Sequence, residues 1–600
     1  MRLLARTQVD GMPYEDWLKI LMALDAELGT RTALEVAYWW QPEEYHAELP
    51  GKFNSFHRKK GKIVTWGTLE FLARKYRIVP RLVTTKGGNF EKQFIDAADL
   101  WPFIEKHRVV FVKSPHGSGK TRTLVQIAND PRYYGFMDLG HRRALLRSKA
   151  KDLNTAVYLD IEGDKRRNEP RLSLCANSTP SLVTIDESTG LPTGVPKYAL
   201  LSLDEYSQFL SHISADSYDG NRVVTLAVLR ELVRQADTVL VMDAGLSQED
   251  IDASVRDWNL QPGEYCVIEN TVENPGLKAK LYGTEWALTS EMLDRIALGE
   301  KAFVVTNNRG RASRLMDLIT DRFPKLRCLF IHADNSQSAE VQALMTDTSG
   351  FGSYDVVVST PAIGTGISID KPMGFVVYGF GDSYVTPAPD FMQQLRRMRS
   401  PKDSTLHLWL DQACGGNFIR SAGEAKLYMY RRHHLLGLRH NEAFTDFIEA
   451  DRKYIELTAH VVQRNSEDTV QFRYQMLNIL HDLGIVVEEL PEDIDDEALI
   501  EEVKDIAKRQ KENWREMVLT APEVDEDDLE WLRRKASRTP EEAATLQKGI
   551  ILDRYGEFTE ELFDLEQKGL WSKIQERRLL LEDPEAVSYT HLTLPTNREV

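Results

Sequence analysis

Short apolar runs alternate with helical patterns from Val109 to about Leu410. Runs such as VVFV, YALLSL and TVLVM have the length and composition of buried strands, and the segments between them place apolar residues at the spacing of an amphipathic helix. This alternation is typical of a parallel α/β sheet. The length of the region fits two such sheets, so we predict an α/β fold with two lobes.

The flanks of this region have mainly helical patterns. Apolar residues recur at helical spacing from Pro13 to Ala73, interrupted by the basic turn HRKKGK, and the chain beyond Leu410 is charged, with few Gly or Pro residues and with acidic connectors. The predicted domains are a small helical domain (1–80), a linker (81–100), a first lobe (101–255), a second lobe (256–412) and a helical acidic accessory region (413–586). Residues 587–600 break the pattern abruptly and resemble translated sequencing adapter, so we exclude them as a non-native tail.

Composition and charge narrow the class of protein. The chain is 42% hydrophobic and 9% aromatic, as expected for a soluble globular protein. No stretch approaches the roughly 20 apolar residues of a membrane span, and the N-terminus lacks the apolar core of a signal peptide, which predicts a cytoplasmic protein. Its four cysteines are far apart, which argues against zinc sites and disulfides. Because the net charge is −17, a DNA path would have to be a local basic stripe.

The segment VVFVKSPHGSGKTRTLVQI predicts a strand, a Gly-rich turn and a helix. Its stretch SPHGSGKT matches GxxxxGK[ST] except for Ser114 at the first glycine position. Backbone N–H groups of such a loop close around phosphate oxygens, the lysine reaches the β- and γ-phosphates, and the hydroxyl residue ligates Mg²⁺. We therefore predict ATP and Mg²⁺ as cofactors. The predicted nucleotide-binding residues are Gly117, Ser118, Gly119, Lys120 and Thr121.

Besides the P-loop, an ATPase site needs a carboxylate on a neighbouring strand, which holds the metal ion and polarises the attacking water. In YALLSLDEYSQFL, Asp204 and Glu205 follow an apolar run, at the carboxyl end where α/β sheets place ligands. Asp204 is the candidate on the metal side and Glu205 is the candidate base. The run DTVLVMDAGLS ends in Asp243, for which two roles stay open: reporting nucleotide state to DNA, or a structural role at the end of a strand.

Later segments add a second lobe. KAFVVTNNRGRASRL predicts a strand, a polar turn and a helix, and YDVVVSTPAIGTGISID predicts a strand that leads into a loop ending at Asp370. In FMQQLRRMRS, Arg397 and Arg399 on a helix after Gln393 are candidates to reach across a cleft to the γ-phosphate as arginine fingers. A solvated basic helix face, or contact with a phosphate backbone, is the alternative.

Taken in order, these segments resemble the motifs of superfamily 2 helicases, most closely the herpesvirus-type origin-binding helicase family and its relatives in phage and plasmid replication proteins. The resemblance covers about Val109 to Ser400, with QQLRRMR in place of QxLGRxR. It implies two RecA-like lobes that hydrolyse ATP in the cleft between them and bind DNA. The residues that it implies at the nucleotide are Gly366, Asp370 and Gln393. The residues that it implies along the nucleic-acid strand are Arg142, Arg143, Ser178, Asn307 and Thr360, with Gly366 beside them.

The N-terminal segment resembles the small helical domain that follows the catalytic part of archaeo-eukaryotic-type primases. The marks of this resemblance are Tyr14, Trp17, Trp39, Trp40, Phe56 and the turn at Gly67, Thr68 and Leu69. Such a domain commonly links a primase to a helicase. The basic run Arg58, Lys59, Lys60 and Lys62 either touches DNA or forms a solvated loop.

These observations predict an ATP-dependent DNA helicase or translocase of phage or plasmid replication, located in a bacterial host cytoplasm. Single-stranded or forked DNA and other replication proteins are the expected partners. The alternative is an origin-binding initiator or assembly platform that binds nucleotide without unwinding. A terminase-like packaging motor is disfavoured because no nuclease carboxylate cluster stands out after the motor.

Overall fold

A computed structural model gives the fold of the chain. It describes residues 14–41, 46–56, 88–115, 117–186, 192–215, 218, 221–271, 276–361, 369, 371–413, 419, 421–429, 447–490, 496–535, 537–571, 573–574 and 577. The chain divides into two compact units, Met1–Leu82 and Val83–Val600, each of which is described by itself. The basic run at Arg58–Lys62 and the residues beyond 577 lie outside the described residues.

The described part of the first unit forms three helices, α1 (Tyr14–Leu28), α2 (Thr30–Trp40) and α3 (Leu49–Phe56). Apolar residues at helical spacing give each helix one buried face, and these faces pack together around Trp17, Leu21 and Phe53. The helical pattern predicted for this part of the chain is confirmed for the described residues.

The larger unit begins with an eight-stranded parallel sheet that forms the first lobe. In chain order its strands are β1 (Gly88–Phe90), β2 (Val109–Lys113), β3 (Phe136–Gly140), β4 (Ala156–Val157), β5 (Arg171–Cys175), β8 (Leu200–Asp204), β9 (Thr238–Asp243) and β10 (Tyr265–Asn270), while β6 (Thr184–Ile185) and β7 (Pro192–Thr193) form a separate antiparallel pair. The spatial order is β1-β10-β2-β9-β8-β3-β5-β4. The sheet thus takes strands from both sides of the predicted range 101–255.

Helices cover both faces of this sheet. They are α4 (Ala97–Ile104), α5 (Lys120–Ala128), α6 (Arg143–Leu153), α7 (Tyr206–Ser214), α8 (Arg222–Gln235) and α9 (Gln248–Asp257). Successive strand residues point to opposite faces, and two apolar cores result, one around Phe111, Leu201 and Leu203 and the other around Val110, Leu124 and Leu200. Because an apolar core covers each face of the sheet, we expect a site at the ends of its strands.

A seven-stranded parallel sheet forms the second lobe. Its strands are β11 (Lys278–Leu281), β12 (Lys301–Thr306), β13 (Cys328–Ile331), β14 (Val356–Ser359), β15 (Phe375–Gly381), β16 (Thr405–Leu410) and β17 (Val486–Glu489), in the spatial order β13-β14-β12-β15-β16-β11-β17. Its helices are α10 (Glu285–Ala297), α11 (Arg309–Arg322), α12 (Ala339–Thr346) and α13 (Ala388–Leu395). The predicted fold class, two parallel α/β lobes with helical flanking regions, is confirmed.

The region after β16 is mainly helical and contacts both lobes. Its helices are α14 (Phe447–Val470), α15 (Phe472–Asp482), α16 (Glu497–Thr520), α17 (Glu526–Arg534), α18 (Pro540–Tyr555) and α19 (Glu560–Gln567). Helix α14 packs on α7 and α9 of the first lobe, where Arg464 and His460 both bond to the buried Asp250 at 2.8 and 2.9 Å. Helix α15 instead packs on α13 of the second lobe. This pair of helices therefore bridges the two lobes, with a break at Gln471.

Candidate functional site

The ends of neighbouring parallel strands meet at the carboxyl edge of the first sheet, where α/β folds bind ligands. Strand β2 leads into the P-loop, and β9 lies between it and β8, which ends at Asp204. Backbone bonds tie these ends together: Ser114 N donates to Asp243 O at 3.0 Å, and Glu205 N donates to Met242 O at 2.8 Å. The sheet thereby brings the P-loop and the predicted acidic pair into one site.

Two glycines shape the P-loop. Gly117 has φ +82° and Gly119 has φ +87°, a left-handed conformation that glycine adopts without strain. Space is also limited, because a Cβ at Gly119 would lie 3.1 Å from Ile95 O. The loop then turns directly into α5, whose first residue is Lys120. This arrangement of a strand, a left-handed Gly turn and a helix N-terminus is the one that cradles phosphate through backbone N–H groups.

The serine at the first glycine position of the motif is accommodated by a hydroxyl network. Ser114 Oγ lies 2.5 Å from Ser118 Oγ and accepts a hydrogen bond from Asn270 Nδ2 at 3.1 Å. Ser118 Oγ in turn donates to Pro115 O at 2.7 Å. Asn270 was missed in the sequence, although a polar residue that ends the apolar run YCVIEN is a signal for it.

Lys120 is held by the loop that it serves. Its Nζ donates to Ser114 O at 2.7 Å and to Pro115 O at 2.9 Å. Burial lowers the pKa of Lys120, and the nearby carboxylates of Asp204 and Asp243 oppose that shift. To bind a phosphate, the ammonium group of Lys120 must give up its hydrogen bonds to these two carbonyl oxygens.

Asp204, the last residue of β8, is buried, and Glu205 after it is half-buried. Asp204 Oδ2 accepts a hydrogen bond from Lys149 Nζ at 3.2 Å. Glu205 has φ +56°, a conformation uncommon for a residue with a side chain, and it directs its carboxyl group into the cleft that faces the second lobe. Its Oε2 is buried with no hydrogen-bond partner among the described residues. Burial raises the pKa of Glu205 to about 7. A carboxylate with one buried oxygen that has no partner among the described residues, and with a raised pKa, suits a general base.

Asp243 has its carboxylate occupied within the first lobe. It accepts hydrogen bonds from Ser207 N at 2.6 Å, from Ser207 Oγ at 2.5 Å and from Gly245 N at 2.6 Å. Burial raises its pKa, and these donors oppose that shift. Of the two roles left open by the sequence, these bonds favour the structural one, joining the end of β9 to the start of α7.

Side chains of the second lobe reach this site. Gln393 Nε2 donates to Glu205 Oε1 at 3.1 Å, and Gln393 Oε1 accepts from Gln208 Nε2 at 2.7 Å. The Arg399 guanidinium lies against the P-loop, since a Cβ at Gly117 would lie 3.2 Å from its Nη1. Arg397 is buried, which lowers its pKa to about 10 although Glu205 opposes the shift. Gln393, Arg397 and Arg399 thus lie beside the P-loop and Glu205.

The prediction that Arg397 and Arg399 lie on a helix is wrong. Helix α13 ends at Leu395, and the chain after it pairs with Ile369: Ile369 N donates to Arg397 O at 2.8 Å, and Arg399 N donates to Ile369 O at 3.1 Å. A parallel bridge takes the place of the next helical turn. Arg397 and Arg399 flank Met398, the residue that forms this bridge. Gly366 and Asp370, predicted at the same site, lie outside the described residues.

The residues predicted to contact nucleic acid in the first lobe, Arg142, Arg143 and Ser178, lie in two places. Arg142 precedes α6 and lines a cavity of about 120 Å³ together with Thr386, Asp390 and Arg397 of the second lobe. Arg143 is exposed and Ser178 is half-buried. Burial raises the pKa of Tyr158, and Arg143 and Ser178 oppose that shift, which places the two beside the same phenol.

Asn307 and Thr360, the residues predicted to contact nucleic acid in the second lobe, are buried. Asn307 Nδ2 donates to Asp382 O at 2.7 Å, and its Oδ1 accepts from Asp382 N at 2.8 Å. Thr360 N donates to Ile331 O at 3.0 Å. In this conformation Asn307 holds the turn after β15, and Thr360 holds the end of β14.

The donors at the site fit a nucleotide with its magnesium ion. Thr121 is exposed in the first turn of α5, Asp204 offers a carboxylate, and Mg²⁺ is commonly bound by one or two protein oxygens together with phosphates. No group of three or more His, Cys, Asp or Glu side chains in the described part of the chain is arranged to hold a metal ion. Over the same residues, no helix is long and apolar enough to cross a membrane.

Comparison with known proteins finds distant relatives. No protein-family model matches the chain. The chain is 25% identical over 507 residues to an uncharacterized protein of Picosynechococcus sp. (strain ATCC 27264 / PCC 7002 / PR-6), covering 78% of this chain and 49% of that protein. It is 21% identical over 333 residues to an "Uncharacterized putative helicase" of Acanthamoeba polyphaga mimivirus, covering 52% of this chain and 30% of that protein. The chain therefore spans half or less of the length of these relatives.

Solved structures that match the chain, at low TM-scores, include two complexes with a nucleic acid and a nucleotide analogue. Mycobacterium smegmatis helicase Lhr bound to ssDNA and AMP-PNP has a TM-score of 0.39 and 16% identity, over 60% of this chain and 53% of that one. S. cerevisiae Dbp5 bound to RNA and ADP BeF3 has a TM-score of 0.40 and 13% identity, over 68% of this chain and 93% of that one.

Proposed function

We propose that the protein is a nucleic-acid-dependent ATPase of the helicase type, which hydrolyses ATP between its two lobes. The observation that carries this proposal is the composition of the site. Lys120, Asp204 and Glu205 come from the first lobe, while the second lobe contributes Gln393 to the Glu205 carboxylate and Arg399 to the face of Gly117. A site made from two lobes changes whenever the lobes move relative to each other.

The binding half of the mechanism belongs to the P-loop. Backbone N–H groups around Gly117 and Gly119 bind phosphate oxygens, with Lys120 on the β- and γ-phosphates. Thr121 and Asp204 would hold Mg²⁺, which when bound neutralises charge on the phosphates. The buried surroundings strengthen each of these charge contacts.

The hydrolytic half of the mechanism belongs to Glu205 and the arginines. Glu205 Oε2, buried and without a partner among the described residues, is available to accept the proton of an attacking water. The hydrogen bond from Gln393 to Oε1 holds the carboxyl group in place for that transfer. Arg397 and Arg399 supply positive charge against the oxygens on which negative charge accumulates.

Coupling to nucleic acid follows from the same contacts. The hydrogen bond from Gln393 to Glu205 and the contact of Arg399 with the P-loop exist only while the lobes are together, so opening the cleft dismantles the hydrolytic half of the site. Arg142, a predicted nucleic-acid contact, lines the cavity between the lobes beside Thr386 and Asp390, and this supports a link between nucleic-acid binding and lobe movement. Strand movement would accompany closure on ATP and reopening after hydrolysis.

We further propose DNA as the nucleic acid and phage or plasmid replication, in a bacterial host cytoplasm, as the setting. The order of motifs resembling origin-binding helicases supports this. The mimivirus relative is named a putative helicase, in agreement with a helicase function. The primase-type N-terminal resemblance supports a link to replication proteins. Since the relatives extend well beyond the matched region, the partners of the whole protein belong to the same proposal.

A forked DNA duplex with one labelled strand tests unwinding. The chain is expected to displace the labelled strand when ATP and Mg²⁺ are present, and Lys120→Ala, which lacks the phosphate-binding ammonium group, is expected to displace none. Binding of the same fork is measured by fluorescence anisotropy as the control. Unchanged binding by both proteins without ATP-dependent displacement would support the assembly-platform alternative and contradict unwinding.

A further inference from the structure

One charged residue lies on the buried face of helix α6. The residues Leu146, Lys149, Ala150 and Leu153 follow the spacing of one helical face, and all are buried. Lys149 is 4% exposed. Lysine is almost never buried without a charged partner, because removing an ammonium group from water costs several kcal/mol. Its burial therefore needs a specific partner.

Two carboxylates are that partner. Lys149 Nζ lies 3.1 Å from Asp138 Oδ1 and 3.2 Å from Asp204 Oδ2. Asp138 is the middle residue of β3 and pairs in register with Ser202 of β8, whose Oγ donates to Asp138 Oδ1 at 2.7 Å. Since side chains two residues apart on a strand share a face, Ser202 and Asp204 point to the same side of the sheet. This is the side on which the P-loop helix α5 packs.

The charges of this cluster depend on one another. Burial alone would lower the pKa of Lys149, but Asp138 and Asp204 raise it above its ordinary value, so the ammonium group stays charged. Burial raises the pKa of Asp138, and Lys149 opposes that shift. Lys149 thus compensates two buried carboxylates, of which Asp204 belongs to the nucleotide site and also lies near Lys120, while Asp138 does not belong to that site.

We propose that Lys149 is a positioning residue for the metal side of this site. Its ammonium group, anchored by Asp138, holds Oδ2 of Asp204 and leaves Oδ1 as the oxygen that serves Mg²⁺. Lys149 touches neither nucleotide nor metal in this role. The inference rests on the proposed function, because it assumes that Asp204 belongs to a nucleotide site. A partner that orients a metal-bound carboxylate typically contributes about 10- to 100-fold to metal affinity.

Calorimetric binding of ADP, once with Mg²⁺ and once with EDTA, isolates the contribution of the metal. Wild-type chain is expected to bind ADP more tightly with Mg²⁺, and Lys149→Met is expected to lose about tenfold or more of that gain while its affinity in EDTA stays the same. Arg147→Met is the matched control, because Arg147 lies on the same helix, exposed and paired with Asp160 at 2.9 Å. It should keep the full gain.

A double variant separates positioning from folding. Lys149→Met removes the cation that contacts both Asp138 and Asp204 and is expected to lower the thermal unfolding midpoint, whereas Asp138→Asn/Lys149→Met removes one charge of each sign and should recover much of it. If Lys149 positions Asp204, the Mg²⁺ gain stays lost in the double variant although stability returns. Recovery of the gain together with stability would overturn the proposal. Wild-type chain that binds no ADP would overturn the proposed function itself, and the positioning role with it.

Discussion

Glu205→Gln is expected to slow ATP hydrolysis by about 10²- to 10⁴-fold, the contribution that a positioned general base typically makes. The amide is nearly isosteric with the carboxylate and can still accept the hydrogen bond that Gln393 donates to Oε1 at 3.1 Å, so the interlobe contact should survive. It cannot accept a proton. Binding of a fluorescent ATP analogue should therefore be unchanged while steady-state phosphate release falls.

The pH profile gives the same test a second readout. Because burial raises the pKa of Glu205 to about 7, the wild-type rate should fall as the pH drops below about 7 and the carboxylate takes up a proton. Glu205→Gln carries no such group and should show no fall through that range. Hydrolysis by the variant at the wild-type rate would remove Glu205 from the mechanism.

Arg399→Ala is expected to lower the hydrolysis rate by about 10³-fold or more, which corresponds to about 4 kcal/mol of transition-state stabilisation. The reason is its place: the guanidinium lies against Gly117 of the P-loop, although Arg399 belongs to the second lobe. Substrate affinity should change far less than the rate, because a finger acts on charge that develops in the transition state. Single-turnover hydrolysis at saturating ATP measures the rate apart from binding.

Lys402→Ala provides a matched control for Arg399. Lys402 is a cation only three residues after Arg399 in the sequence. It is exposed and paired with Glu300 at 2.8 Å. Its removal should leave hydrolysis within about twofold, as for exposed ion pairs, which contribute little. An equal loss of rate in both variants would show that general basicity, not a finger, explains the effect of Arg399.

Local signals in the sequence predicted the parts of the site that depend on neighbouring residues. The run VVFV before SPHGSGKT predicted β2 and the P-loop, and the apolar run before Asp204 predicted β8, because a buried parallel strand needs an uninterrupted apolar stretch. Because the carboxyl ends of parallel strands lie at the same edge of a sheet, the P-loop and Asp204 were expected close together, and the structure confirms this. The two-lobe fold followed from the same alternation of patterns.

Features that depend on distant parts of the chain could not be predicted in this way. The three-residue strand β1 is too short for its own pattern, and β17 enters the second sheet from a charged helical region. The end of α13 at Leu395 is set by pairing with Ile369, a contact that no local propensity encodes. The role of Lys149 was not predicted, although its spacing from Leu146 and Leu153 and the single acid in the apolar strand FMDLG were available signals.

Steady-state ATP hydrolysis with and without single-stranded DNA tests the central claim most directly. The protein should hydrolyse ATP slowly by itself and much faster with DNA. The reason is that the bound DNA strand favours the closed arrangement of the lobes, in which Gln393, Arg397 and Arg399 complete the site. Lys120→Ala, measured in parallel, should lose both rates. Hydrolysis that is indifferent to DNA, or that persists in Lys120→Ala, would contradict the claim that this is a two-lobed nucleic-acid motor with its catalytic site at the P-loop.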